Sequence, residues 1–131
     1  MSGIANKGNV LLVDDSEMTR SLLRLILVCD GYRVIGESNN GDAGLEMSLR
    51  LKPDIVCLDV QMPKSDGLTV LRKIRTAVPT MTVIMITSSA ERETVQAAIS
   101  GGAAGYIVKP FNSGRVLAVI EGAMKRLGSN R

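Results

Sequence analysis

The sequence predicts one α/β domain, a doubly wound sandwich in which five strand-helix pairs build a five-stranded parallel sheet covered by helices on both faces. Two observations carry that expectation. Short apolar runs of strand length alternate with longer stretches whose apolar residues recur at three- and four-residue steps, the pattern of repeated strand-helix-strand units. The 131 residues are 45% hydrophobic but only 2% aromatic, so the core is built from Val, Ile, Leu, Met and Ala, the usual filling between helices and a parallel sheet. A chain of this length buries about two-thirds of its unfolded surface and needs no covalent staple.

The first strand is expected over Asn9 to Val13, followed by a helix with Met18, Leu22, Leu25, Ile26 and Cys29 on one face and Gly31 at its end. A second strand, Tyr32 to Ser38, leads through Asn40-Gly41 to a short helix carrying Leu45 and Leu49 and closed by Pro53. Ile55 to Leu58 is apolar on both faces, which predicts a central strand, and Asp59 ends it abruptly. After the loop Val60 to Asp66, a helix runs through Leu68, Leu71 and Ile74, and Pro79 separates it from a fourth strand, Thr82 to Ile86. Ser88 and Glu91 stand at capping-box spacing for the next helix, which reaches about Ser100. Glycines at 101, 102 and 105 precede a fifth strand, Tyr106 to Val108, and the last helix carries Val116, Ile120, Met124 and Leu127. The expected organisation is a tail over 1–8, a domain over 9–128 and a short tail over 129–131.

Composition excludes several function classes. Cys29 and Cys57 lie in apolar stretches without C-x-x-C spacing, and the chain has no His, so both are expected as buried thiols and no zinc site is expected. The missing histidine also excludes Ser-His-Asp and Cys-His catalysis by these residues. Net charge is +3, but the basic residues are scattered. Only Lys125, Arg126 and Arg131 look locally basic, and cations at a helix end favour the helix dipole; direct nucleic-acid binding is not expected. No apolar run approaches the ~20 residues of a membrane span, and the start lacks the apolar core of a signal peptide. A cytoplasmic protein without membrane insertion is the expectation.

In an open parallel sheet the functional crevice lies beyond the carboxyl ends of the strands. The first strand runs into Asp14-Asp15, the third into Asp59, the fourth into Thr87 and the fifth into Lys109. Converging carboxylates at the ends of buried strands repel one another by a few kcal/mol per pair at an effective dielectric near ~20. Lys109 offers one positive charge against three negative ones, so a divalent cation held by oxygens is expected. Mg2+ suits, because it takes a couple of carboxylates and completes its shell with water and phosphoryl oxygens. A metal and a lysine that neutralise a phosphodonor let a carboxylate attack phosphorus in line. Asp59, alone on the central strand, is the expected nucleophile, and Thr87 is a hydrogen-bond donor to a phosphoryl oxygen.

The pattern Val13-Asp14-Asp15, Leu58-Asp59-x-x-Met62-Pro63 with Gly67, Ile86-Thr87 and Tyr106-x-x-Lys109-Pro110 resembles the receiver domain of bacterial two-component response regulators, over roughly residues 9 to 127. The resemblance implies a flavodoxin-like sheet in the order 2-1-3-4-5. It also implies a phosphoryl group accepted on Asp59 from a sensor histidine kinase or histidine phosphotransfer protein, and Mg2+ arranged by Asp14, Asp15, Asp59 and the backbone carbonyl of Gln61. By the same resemblance Thr87 and Lys109 hold the phosphoryl oxygens. Thr87 and Tyr106 form a coupled switch that repacks the face of the fourth helix, fifth strand and last helix, where a downstream protein docks. The Lys109-Pro110 bond is expected cis, and Gln61 and Ser89 are expected to tune the phosphate's lifetime.

Each position alone has an ordinary explanation: a strand-terminal Asp as a cap or turn residue, Thr87 as a cap, Tyr106 as sheet packing, Lys109 as a loop charge, the methionines as core filling. Five of them in order on the right strands point to function. A haloacid dehalogenase-type phosphatase resembles D-x-D, whereas here Asp59-Val60-Gln61 lacks the second acid. In a flavodoxin-like cofactor binder, Asp14-Asp15 would repel the bound phosphate. Few residues follow the last helix, so the expected output is protein-protein binding by a chemotaxis-type regulator, with a phosphorelay intermediate as the alternative. The expected catalysis is limited to the chain's own phosphorylation and dephosphorylation.

Overall fold

Along the chain follow β1 (Asn9–Val13), α1 (Glu17–Cys29), β2 (Arg33–Ser38), α2 (Gly41–Leu51), β3 (Ile55–Asp59), α3 (Gly67–Ala77), β4 (Thr82–Thr87), α4 (Arg92–Ser100), β5 (Gly105–Val108) and α5 (Ser113–Ser129). They are seen in a computed structural model that describes residues 6–89 and 91–129. A short antiparallel ribbon, Gln61–Met62 with Ser65–Asp66, sits between β3 and α3. The five long strands are all parallel in the order β2-β1-β3-β4-β5. That is the expected 2-1-3-4-5 sheet.

Every residue of β3 and β4 is buried, as two-sided apolar runs require of inner strands. Alternation along the strands sends side chains to opposite faces. Val10, Leu12, Cys57, Ile84 and Ile86 meet Leu23 and Leu27 of α1 and Val116 and Ile120 of α5. Leu11, Val13, Val56, Leu58, Val83 and Met85 meet Val70, Leu71 and Ile74 of α3. Each such side chain contributes roughly 1.5–3 kcal/mol by leaving water.

Four expectations about packing and caps are corrected. In α1 the buried residues are Leu23, Ile26 and Leu27, while Met18, Leu22 and Leu25 are exposed. The segment is apolar nearly all round its last two turns, so two stripes one residue apart fit the same period, and packing on the sheet selects the other one. With that rotation Cys29 is exposed, and only Cys57 is buried. In α2 the sheet-facing residues are Gly41, Gly44 and Ser48, and Leu49 is exposed. A Cβ on Gly44 would stand 2.6 Å from Val13 Cγ1, so small residues make the contact and the leucines do not report it. Finally, α4 has no capping box: Glu91 is its N-cap without a side-chain bond, and the Ser88 hydroxyl donates instead to Gln61 Oε1 at 3.0 Å.

Pairing at the sheet's edge begins before β1, since Lys7 N–H donates to Gly31 O and Gly8 O accepts from Arg33 N–H, both at 2.9 Å. The expected tails fall largely on residues 1–5, 130 and 131, which lie outside the described residues, as does the side chain of Leu127. Among the described residues no helix is long and apolar enough to cross a membrane.

Candidate functional site

Register brings the strand ends level. Val13 stands opposite Leu58, Asp59 opposite Ile86, and Thr87 opposite Val108. The residue following each apolar run therefore lands on one rim of the sheet: Asp14, Asp59, Thr87, Lys109. Asp14, Asp59 and Thr87 are buried, at 1%, 3% and 2% exposure, while Asp15 is exposed.

Asp14, Asp15 and Asp59 each present a carboxylate oxygen, and the three lie within 4.8 Å of one another. Lys109 Nζ stands 3.0 Å from Asp14 Oδ2 and 3.6 Å from Asp59 Oδ2. The remaining oxygens are held by backbone: Asp14 Oδ1 accepts from Ser16 N–H at 2.8 Å, and Asp59 Oδ1 accepts from Gln61 N–H at 3.1 Å. Among the described residues Asp14 Oδ2, which is buried, has no hydrogen-bond partner apart from its ion pair with the Lys109 ammonium. Burial pushes the Asp59 carboxyl up to about 7, helped by the charge of Asp14, against the opposing pull of Gln61 N–H and Lys109.

This donor set fits a hard divalent cation. Its donors are all carboxylate oxygens, as Mg2+ prefers, one of them buried without a hydrogen bond, and three acidic groups face a single lysine. With Asp59 ionised the cluster carries two uncompensated negative charges, which one divalent ion cancels.

The other expected residues surround this pocket with different engagements. Thr87 Oγ1 accepts from Ser89 N–H at 3.0 Å and lies 3.2 Å from Ser89 O, so its hydroxyl is held by its own loop. Lys109 is fixed to the same strand end, its N–H donating to Thr87 O at 2.7 Å. Gln61 uses its backbone on Asp59 and its side chain on Ser88. Ser89 is half-buried, its Oγ accepting from Glu91 N–H at 3.1 Å. Tyr106 is half-buried against the α3-side core, and the Lys109-Pro110 bond is cis.

Two residues stand near the pocket without being expected there, Ser88 reading as a helix cap and Arg20 as an ordinary helix residue. Ser88 reaches across to Gln61, and Arg20 donates from Nη1 to the Asp14 carbonyl at 2.5 Å. The only sequence signal for Arg20 is its place one turn after Ser16, which caps α1 by accepting from Thr19 N–H.

A doubly wound 2-1-3-4-5 sheet with three aspartates and a lysine on its carboxyl rim is the architecture of a receiver. The chain belongs to the response regulator receiver domain family, which matches residues 10–121. Within that family it is CheY-like: it is 37% identical over 111 residues to the chemotaxis protein CheY of Bacillus subtilis (strain 168), covering 85% of this chain and 92% of that protein. Its fold matches the CheY-like receiver domain protein from Methanospirillum hungatei JF-1 with a TM-score of 0.87 at 26% identity, covering 94% of this chain and 98% of that one. A chain in the CheX-CheY-BeF3-Mg complex from Borrelia burgdorferi superposes with a TM-score of 0.83 at 34% identity, covering 88% of each.

Proposed function

We propose that this protein is a CheY-like phosphoacceptor switch: it takes a phosphoryl group onto Asp59 in a Mg2+-dependent step and signals by phosphorylation-dependent binding to another protein. The observation that carries the reading is the placement of Asp59 at the end of the central strand, buried beside Asp14, Asp15 and Lys109. Asp14, Asp15, Asp59 and the Gln61 carbonyl would hold Mg2+, which neutralises phosphoryl oxygens when bound. In the transfer an Asp59 oxygen forms a bond to phosphorus as the P–N bond of a donor phosphohistidine breaks, and the electron pair of that bond returns to the imidazole nitrogen. Lys109 contributes its ammonium to the phosphoryl oxygens, and Thr87 leaves Ser89 to donate to one of them. The BeF3 and Mg in the Borrelia burgdorferi complex accord with this chemistry. The chain turns over no external substrate; it promotes only the gain and loss of its own phosphoryl group, with Gln61 and Ser89 setting the lifetime.

Two surfaces suit partners. The exposed Met18, Leu22, Leu25 and Val28 line α1, which starts at Glu17, two residues past Asp15. A histidine kinase or phosphotransfer protein seated there has its phosphohistidine close to Asp59. The downstream face is α4, β5 and α5. α4 has a single buried residue, Ala98, and no side-chain cap, the weak anchoring expected of an element that moves, and Tyr106 stands half-buried beside it.

Incubation with a small phosphodonor and Mg2+ is expected to add one phosphoryl group to the wild-type chain and none to Asp59→Asn, read by intact-protein mass spectrometry. Equal labelling of both removes the assignment. Lys109→Ala is expected to keep the fold while losing phosphorylation-dependent partner binding, measured by pull-down with and without phosphodonor; binding that still responds to phosphodonor contradicts its role.

A further inference from the structure

Arg20 is largely buried, its side chain 15% exposed, and it faces two groups at once. Nη1 donates to the Asp14 carbonyl at 2.5 Å and Nε donates to Glu37 Oε1 at 3.1 Å. Glu37 belongs to β2, is 19% exposed and also pairs with Arg24. Asp14 is thereby held at three points: its N–H donates to Ser38 O at 3.0 Å, its Oδ1 accepts from Ser16 N–H, and its carbonyl accepts from Arg20. Oδ2 alone is left facing the pocket. The carbonyl that Arg20 holds is that of the peptide joining Asp14 to Asp15, so its orientation sets the direction in which the Asp15 side chain leaves the backbone.

We propose that Arg20, braced by Glu37, is a positioning residue for the divalent cation, locking the Asp14-Asp15 peptide so that both carboxylates converge with Asp59. The proposal rests on the reading of the acidic pocket as a Mg2+ site. Groups that orient metal ligands without touching the metal typically change affinity about 10–100-fold when lost. Glu37, which Arg20 shares with Arg24, offsets part of the guanidinium charge and so lessens its repulsion toward an incoming divalent ion. The planar fork matters as well, because a lysine reaches one acceptor as a point charge and cannot bridge carbonyl and carboxylate in the same geometry.

Charge and position give opposite signs, which makes the role testable. Removing a positive charge close to a cation site raises affinity if charge alone acts; removing the clamp lowers it. The experiment is Mg2+ titration of the full chain without phosphodonor, by calorimetry and by the metal-dependent rise in melting temperature. Wild type, Arg20→Met, Arg20→Lys and Asp14→Asn are compared, with metal-free melting recorded for each. Arg20→Met and Arg20→Lys are both expected to bind Mg2+ about tenfold or more weakly. Wild-type or tighter affinity in Arg20→Met overturns the proposal. Should that variant fail to fold, wild-type affinity in Arg20→Lys, which keeps the charge and loses the fork, overturns it equally. If wild type binds Mg2+, Asp14→Asn does not and the Arg20 variants match wild type, only the clamp falls. If wild type itself binds no Mg2+, the pocket reading falls and the clamp with it.

Discussion

Gly67→Ala is expected to destabilise the domain by about 3 kcal/mol or more, at the upper end of what adding one methyl group to a packed site costs. Gly67 opens α3, and its N–H donates to Val60 O at 2.9 Å. A Cβ there would lie 2.1 Å from the Asp59 carbonyl oxygen and 2.7 Å from Val60 Cα. Both neighbours are backbone, and Val60 is tied to β4 through its N–H to Ile86 O at 2.8 Å, so no side chain can swing aside. Either α3 lifts or the end of β3 shifts, and the second response moves the phosphoacceptor itself. Urea unfolding measures the first effect and phosphodonor labelling of Asp59 the second. A loss of under about 1 kcal/mol with wild-type labelling would mean that the loop absorbs the methyl group without strain.

Asp59→Asn is expected to be more stable than wild type in metal-free buffer at pH 8, with the advantage fading toward pH 4. The Asp59 carboxyl is raised from 3.8 to about 7, chiefly by burial and then by Asp14. Between those values the folded protein keeps a proton that the unfolded chain has released. Its stability therefore falls as pH rises through this window and stays lowered above it. A shift of that size corresponds to a few kcal/mol at most, and the neutral amide removes the penalty. Below the ordinary carboxylate range both side chains are uncharged and the difference closes. Thermal melts of the two proteins at pH 4, 6 and 8, with chelator and then with Mg2+, check this. Mg2+ is expected to raise the wild-type melting point at pH 8 more than that of Asp59→Asn. Identical melting at pH 8 without metal would show that the acidic pocket does not strain the fold.

The features legible in the sequence were those in which chemistry and chain order coincide. β3 is apolar on both faces, so its central position follows from Ile55 to Leu58 alone, whereas the inner place of β4 comes with the sheet order that the resemblance implies. The pocket aspartates and Lys109 each follow directly on a buried strand, and parallel strands in register turn that local rule into a shared rim. Helix faces were harder. α1 offers two apolar stripes one residue apart, and only the packed sheet distinguishes them, whereas α2 approaches β1 through glycine and serine, which carry no hydrophobic signal. Ser88 has capping-box spacing but bonds to Gln61, 27 residues away, and Arg20 meets Glu37 across 17 residues. Long polar side chains that reach another loop leave no periodicity to read.

The corrected rotation of α1 has a practical consequence. The two thiols differ sharply in access: Cys57 is buried with its thiol pushed up to about 12, while Cys29 is exposed at the end of α1, in a groove with Leu25 and Phe111. Because the thiolate is the reactive form and must be reachable, a maleimide fluorophore attaches to the native chain at one place. The protein has no tryptophan, so such a dye supplies the optical reporter it lacks, on the helix that follows Asp14-Asp15 and with no cysteine to engineer away.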